Sequence, residues 1–284
     1  MSYPIRSKDS KSVKTFKHPA VTLSSEGLKY LRHKMPTTTY LDSDDLAHLR
    51  ARCTEIEIES GTPKDGGLKV FEPKSRDEMD VIFKANGLFQ GETNIPSTEY
   101  SPGNWHTASY VGGYYLNLFD QQDRSTANAP DRLNKTLLER TSSWKVDQNV
   151  TDQFVDASKI HWRANFTLHI RNNSKPDIVC FLANDAPLKD EKILLSELRC
   201  ILRMGGANLQ KYYHNHKIAP VTVVSASGLN VRIVQGYVDG DKGCLFVRKS
   251  GIINIDGDSK NLEGLVSIAC WFLGNPCRKT ENLN

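Results

Sequence analysis

The sequence predicts an α/β protein with one central mixed sheet and helices on its flanks. Three observations carry this. Short alternating or β-branched runs at 161–170, 178–183 and 221–226 read as strands. Segments with helical spacing precede and separate them, from Ala129 and again at about 207–217. With the apolar run at 193–202 read as a strand, the order from Ala129 is helix, three strands, helix, strand, then more strands and a closing helix at 262–273.

A chain of 284 residues suits one large domain or two modest ones. With no internal repeat and no evident linker, one domain over 25–284 is expected. Residues 1–24 form a basic tail carrying Arg6, Lys8, Lys11, Lys14 and Lys17. The 38% hydrophobic and 25% charged content is ordinary for a globular chain and excludes wholesale disorder. A net charge of +4 permits a polyanionic partner without requiring one.

Six cysteines include no C-x-x-C pair, and Cys180, Cys200, Cys244 and Cys270 lie in apolar runs. They read as reduced core thiols, and a zinc site is not expected. The N-terminal residues lack the apolar centre of a signal peptide, and no run approaches the ~20 apolar residues of a membrane span. A cytoplasmic or nuclear protein without a membrane partner is expected.

The elements follow in order. A short helix begins after Ser24-Ser25-Glu26. Asp42 or Ser43 caps a second helix that runs to about Cys53. Residues 55–59 alternate as a strand or a helix tail. Ser75 and Glu78 fit a capping box, with Met79, Ile82 and Phe83 as the buried face. Residues 87–128 read as a partly ordered insertion rich in Gly, Asn, Ser and Thr. Its aromatic residues either stack on bases or cover the sheet, and covering the sheet is the simpler reading. Pro130 and Asp131 start a helix that aligns Leu133, Leu137, Arg140 and Trp144, with Glu139 on another face. Gly205-Gly206 breaks the chain before the next helix. The glycines at 228, 240 and 243 mark turns between the last strands.

Two acids stand in costly places: Asp177 starts one apolar run and Glu197 sits inside another. If 178–183 and 193–202 form an antiparallel hairpin, Asp177 falls opposite Arg199, with Glu197 as a diagonal neighbour on the same face. Two carboxylates that close repel, and a divalent cation resolves the conflict. Mg²⁺, or Mn²⁺, takes one or two carboxylates and phosphate oxygens, and activates water for attack on a phosphodiester.

The pieces SKPD (174–177) and SELR (196–199) resemble the two half-motifs of the PD-(D/E)XK, restriction-endonuclease-like nuclease superfamily. The expected αβββαβ order over about 129–250 resembles the core of that family. Residues 220–240 also look like the last strand and hairpin of nuclease-like modules in fungal and crinkler-type proteins. The resemblance implies a Mg²⁺-dependent nuclease acting on DNA rather than RNA. Asp177, Glu197 and the carbonyl of Leu198 would hold the metal, with Glu139 and Gln210 in support. The family's lysine is Arg199 here, and an arginine that never deprotonates is a poor base. Lys211 would then supply the missing lysine. Arg203, Lys217 and Arg232 would line a nucleic-acid groove. The substitution at Arg199 favours an alternative: a catalytically degraded nuclease-like fold acting as an effector or interaction protein with a protein partner. A further alternative is a cluster of Asp–Arg–Glu salt bridges that only orders the sheet.

Overall fold

A computed structural model of the chain describes residues 18–35, 37–86, 103–120, 135–147, 162–171, 174–256 and 262–277. The first part supplies α1 (Pro19–Lys34), β1 (Tyr40–Leu41), α2 (Ser43–His48), β2 (Ala51–Glu55), β3 (Phe71–Glu72) and α3 (Arg76–Ala85). Next come α4 (Asn104–Phe119), α5 (Leu137–Thr141), β4 (Trp144–Asp147), β5 (Trp162–Ile170) and β6 (Ile178–Asn184). Then β7 (Ile193–Leu194) leads into α6 (Leu195–Lys211) and β8 (Val221–Ser227). The chain continues through β9 (Asn230–Asp239), β10 (Cys244–Lys249), β11 (Ile253–Asn254), α7 (Leu262–Leu273) and β12 (Asn275–Pro276).

The fold is mixed α/β. An eight-stranded sheet runs β2-β10-β9-β8-β6-β5-β4, with β11 beside β9. Strands β6 and β8 are parallel, as are β10 and β2, and the other pairs are antiparallel. β6 is an interior strand between β8 and β5, and all seven of its residues are buried. That is why its sequence is a continuous apolar run and not an alternating one.

Side-chain alternation divides β6 between two cores. Val179, Phe181 and Ala183 face a layer that includes α3, α4 and α7. Ile178, Cys180 and Leu182 face the opposite layer, built from α1 and α6. The Val, Ile, Leu and Phe side chains among them each contribute roughly 1.5–3 kcal/mol when fully withdrawn from water.

The expected αβββαβ order is present, but on different segments. With the two-residue β7 set aside, which pairs with β1 outside the main sheet, it runs α5, β4, β5, β6, α6, β8, so the three strands begin one strand earlier than the sequence suggests. Trp144, expected on a helix with Leu137 and Arg140, starts β4 instead. The expected helix start at 129–134 lies outside the described residues.

The largest departure is at 193–202. Only Ile193 and Leu194 are extended, and they pair with β1 outside the main sheet. From Leu195 the chain is helical for 17 residues, straight through Gly205 and Gly206. Those glycines do not break the helix; they let it approach its neighbours. A Cβ on Gly206 would lie 2.9 Å from Cβ of Ser24 in α1, and one on Gly205 would lie 3.0 Å from the Ala219 carbonyl. Both runs are apolar, and a short apolar run does not by itself separate a buried strand from a buried helix.

Other corrections are local. Helix α1 begins at Pro19, inside the expected tail. Helix α2 ends at His48, and Cys53 belongs to β2. The segment expected as an aromatic insertion contains α4, whose Val111, Tyr115 and Phe119 are buried in the core. Its aromatics therefore cover the sheet, although Tyr110 is exposed. The Ser75–Glu78 capping box, the turn at Gly228 and the closing helix α7 stand as expected. All six cysteines are free. Among the described residues, no helix is long and apolar enough to cross a membrane.

Candidate functional site

The acid pair does not converge. Asp177 precedes the first residue of β6. Glu197 lies in the first turn of α6, and its neighbour Ser196 donates to the side chain of Asn184, the last residue of β6, at 2.6 Å. Seven strand residues at roughly 3.3 Å each place the two carboxylates roughly 20 Å apart, at opposite ends of the strand. The hairpin expected between 178–183 and 193–202 does not form, because the second segment is a helix that leads to the parallel strand β8.

Glu197 is fully buried and committed to protein partners. Its Oε1 accepts from Arg232 Nε at 2.9 Å, and its Oε2 accepts from Arg232 Nη2 at 2.6 Å. The same Oε2 accepts from the backbone N–H of Leu194 at 2.9 Å. Arg232 rises from the sheet on β9 and also donates to the Lys189 carbonyl at 2.7 Å. This bidentate geometry is the strong form of the arginine–carboxylate pair. Beside it, Asn184 donates to Ser225 Oγ at 3.1 Å and to the Ala226 carbonyl at 3.2 Å. The start of α6 is thus pinned to the ends of β6 and β8 by satisfied polar contacts.

Asp177 has a different environment. It is buried, and its Oδ2 has no hydrogen-bond partner among the described residues. Burial pushes its carboxyl up to about 7, against the lowering pull of Lys175 and of its own backbone N–H. The other end of α6 lies here: Asn208 donates to the Pro176 carbonyl at 2.7 Å.

The remaining expected site residues are dispersed. Leu198 is a fully buried core residue of α6. The guanidinium of Arg199 lies over the Trp162 ring, 5.6 Å from its centroid. Gln210 and Lys211 are exposed at the far end of α6 from Glu197. Glu139 closes the capping box of α5 with Thr136. Of the three expected nucleic-acid contacts, Arg232 is entirely buried, Lys217 pairs with Asp241 at 3.1 Å, and Arg203 is half-buried on α6. Among the described residues, no three His, Cys, Asp or Glu side chains gather as a metal site. The residues present do not fit the Mg²⁺ site that the sequence suggested: Glu197 has no free oxygen to offer, and Asp177 stands alone.

A cleft of about 330 Å³ lies elsewhere, between α1, the end of α2 and the β9–β10 hairpin. That volume is at the small end of the range for small-molecule pockets. Leu202 of α6 and Val238 and Leu245 of the sheet line it with apolar surface. Gly27 allows α1 to close in, since a Cβ there would lie 2.8 Å from Leu202 Cδ1. Tyr30 stacks on His48 with ring centroids 3.9 Å apart. Tyr30 also donates to Asp45 at 2.7 Å, and Lys34 pairs with the same oxygen at 2.8 Å. Burial alone would raise the Asp45 carboxyl, but hydrogen bonds from Lys34, Tyr30 and the Asp42 N–H outweigh it and hold it low.

Two charged residues line this cleft, Glu26 from α1 and Arg50 from the segment between α2 and β2. Arg50 is the one non-glycine residue with positive φ among the described residues, at 51°. Its N–H closes α2 on the Ala47 carbonyl at 2.9 Å, and its own carbonyl accepts from Leu245 at 3.1 Å. It therefore occupies the left-handed position that follows a helix, where glycine is usual. Sequence reading carried α2 on to Cys53 and so passed over this position. The signal is weak: the basic His48 in the last turn marks a helix end, with no glycine or asparagine after it.

Comparison of the chain with family models, with curated proteins and with solved structures gives no match.

Proposed function

We propose that this chain works by binding, not by metal-dependent phosphodiester hydrolysis: an interaction protein on a nuclease-like order of elements. The observation that supports this best is the closed pair of Glu197 and Arg232. A catalytic carboxylate must keep an oxygen for the metal, and both oxygens of Glu197 are used by Arg232 and Leu194 in a site without solvent. Arg232, for its part, cannot reach phosphate. The pair ties α6 to β9 and reads as a structural clamp. Such a clamp orders a fold even where its net stabilisation is small.

The test is incubation of the intact protein with supercoiled plasmid, single-stranded DNA and RNA in Mg²⁺ or Mn²⁺. No EDTA-sensitive cleavage is expected. Metal-dependent nicking that disappears in Asp177→Asn would overturn the reading and restore the nuclease assignment.

A further inference from the structure

The cleft beside Arg50 combines three features that act on different parts of a ligand. Its lining is apolar where Leu202, Val238 and Leu245 meet. Glu26 brings a negative charge and Arg50 a positive one, on separate elements. Neither charge makes an ion pair or a side-chain hydrogen bond with another described residue.

Arg50 adds a second, independent observation. A side chain with a Cβ is strained at φ 51°. The fold needs this backbone shape to end α2 and start β2, but glycine would supply it without strain. What glycine cannot supply is the guanidinium, which lies beside the hairpin turn: a Cβ on Gly243 would be 3.7 Å from Arg50 Nη1. Gly243 is itself left-handed, with φ 63°. Local strain kept at the edge of a cleft points to use of the side chain there.

From these features we propose that the cleft binds a free α-amino acid with an apolar side chain. The ligand's carboxylate would meet Arg50, its ammonium group Glu26, and its side chain the apolar lining. A simple anion would face Glu26 as a like charge, and a simple cation would face Arg50 so. Only a zwitterion satisfies both. The volume accommodates an amino acid with an apolar side chain. The proposal is independent of whether the acids of β6 and α6 have any chemistry.

The probes are L-phenylalanine, phenethylamine, which lacks the carboxylate, and 3-phenylpropionate, which lacks the ammonium group. Binding to the full chain is followed by calorimetry and by amide shifts at Gly27, Gly243 and Leu245. Phenylalanine is expected to bind at least about tenfold more tightly than either analogue, the scale of one lost charge-assisted hydrogen bond. Arg50→Gly should abolish the preference over phenethylamine and keep the preference over phenylpropionate. Glu26→Gln should do the reverse. Thermal melts of both variants establish that they remain folded. No binding by phenylalanine, equal binding by all three probes, or unchanged preferences in the folded variants would overturn the proposal.

Discussion

Arg232 and Glu197 form a bidentate ion pair, with N–O distances of 2.9 and 2.6 Å and no solvent exposure on either side chain. The two residues are 35 positions apart, one on β9 and one on α6, so the pair fixes how the helix sits on the sheet. Removing one partner leaves the other as an uncompensated buried charge. Glu197→Ala is therefore expected to cost about 3–5 kcal/mol in urea unfolding. Glu197→Ala combined with Arg232→Ala should cost less than the sum of the single changes, because the second removes the stranded charge. Strict additivity would mean that the two side chains do not act as a pair.

Asp177 makes the stability of the protein depend on pH in an unusual direction. Its carboxyl titrates near 7 in the folded chain because burial disfavours the anion. In an unfolded chain it titrates near 3.9. Between those values the folded state holds the extra proton. This group's contribution is therefore fully present below about pH 4 and is lost as pH rises to about 7. The loss amounts to about 4 kcal/mol at most. Asp177→Asn keeps the shape and removes the titration. Relative to the unaltered chain it should gain stability from pH 5 to pH 8, read from urea midpoints at each pH. Parallel profiles for the two proteins would show that Asp177 titrates normally.

Local signals were legible in the sequence and non-local ones were not. Ser75 and Glu78 cap α3 as expected because both partners lie within one turn. The turn at Gly228 and the helix at 262–273 are likewise set by nearby residues. The 193–202 run was misread because its burial is decided by α1 and the sheet, not by its own pattern. That one error moved Glu197 from the expected hairpin to the start of a helix, and with it the whole expected site. Arg50 was missed for a related reason. The end of α2 is fixed by parallel pairing of β2 with β10, nearly two hundred residues on, with Ala51 opposite Leu245.

The helix α4 was hidden among glycines and aromatics, and one of those glycines explains its position. A Cβ on Gly112 would lie 2.7 Å from two ring carbons of Phe181 and 2.9 Å from Asn165 Nδ2. Phe181 cannot retreat, since its ring stacks on Phe166 with centroids 5.7 Å apart. Gly112→Ala should therefore destabilise by about 1–3 kcal/mol through overpacking, although alanine is the better helix former. Gly113, with nothing within 4 Å of its Cβ position, is the internal control. Gly113→Ala should be neutral or stabilising by up to about 1 kcal/mol. Equal effects at the two sites, measured in urea, would remove the close approach of α4 to β6 as the reason for Gly112.

Arg50 gives the opposite expectation: a substitution that removes a side chain and strengthens the fold. The left-handed backbone costs a residue with a Cβ about 1–2 kcal/mol. Glycine escapes that cost but loses more conformational freedom on folding, by roughly 0.5–1 kcal/mol. The guanidinium has no partner among the described residues whose loss would offset the gain. Arg50→Gly should thus stabilise the chain by about 1 kcal/mol or less, while Arg50→Ala, which keeps the Cβ and the strain, should be close to neutral. The difference between the two isolates the backbone from the side chain. Urea midpoints measured at one pH for all three proteins decide it. A loss of stability in Arg50→Gly larger than in Arg50→Ala would show that the guanidinium braces the fold, and that the strain is held for structure and not for the cleft.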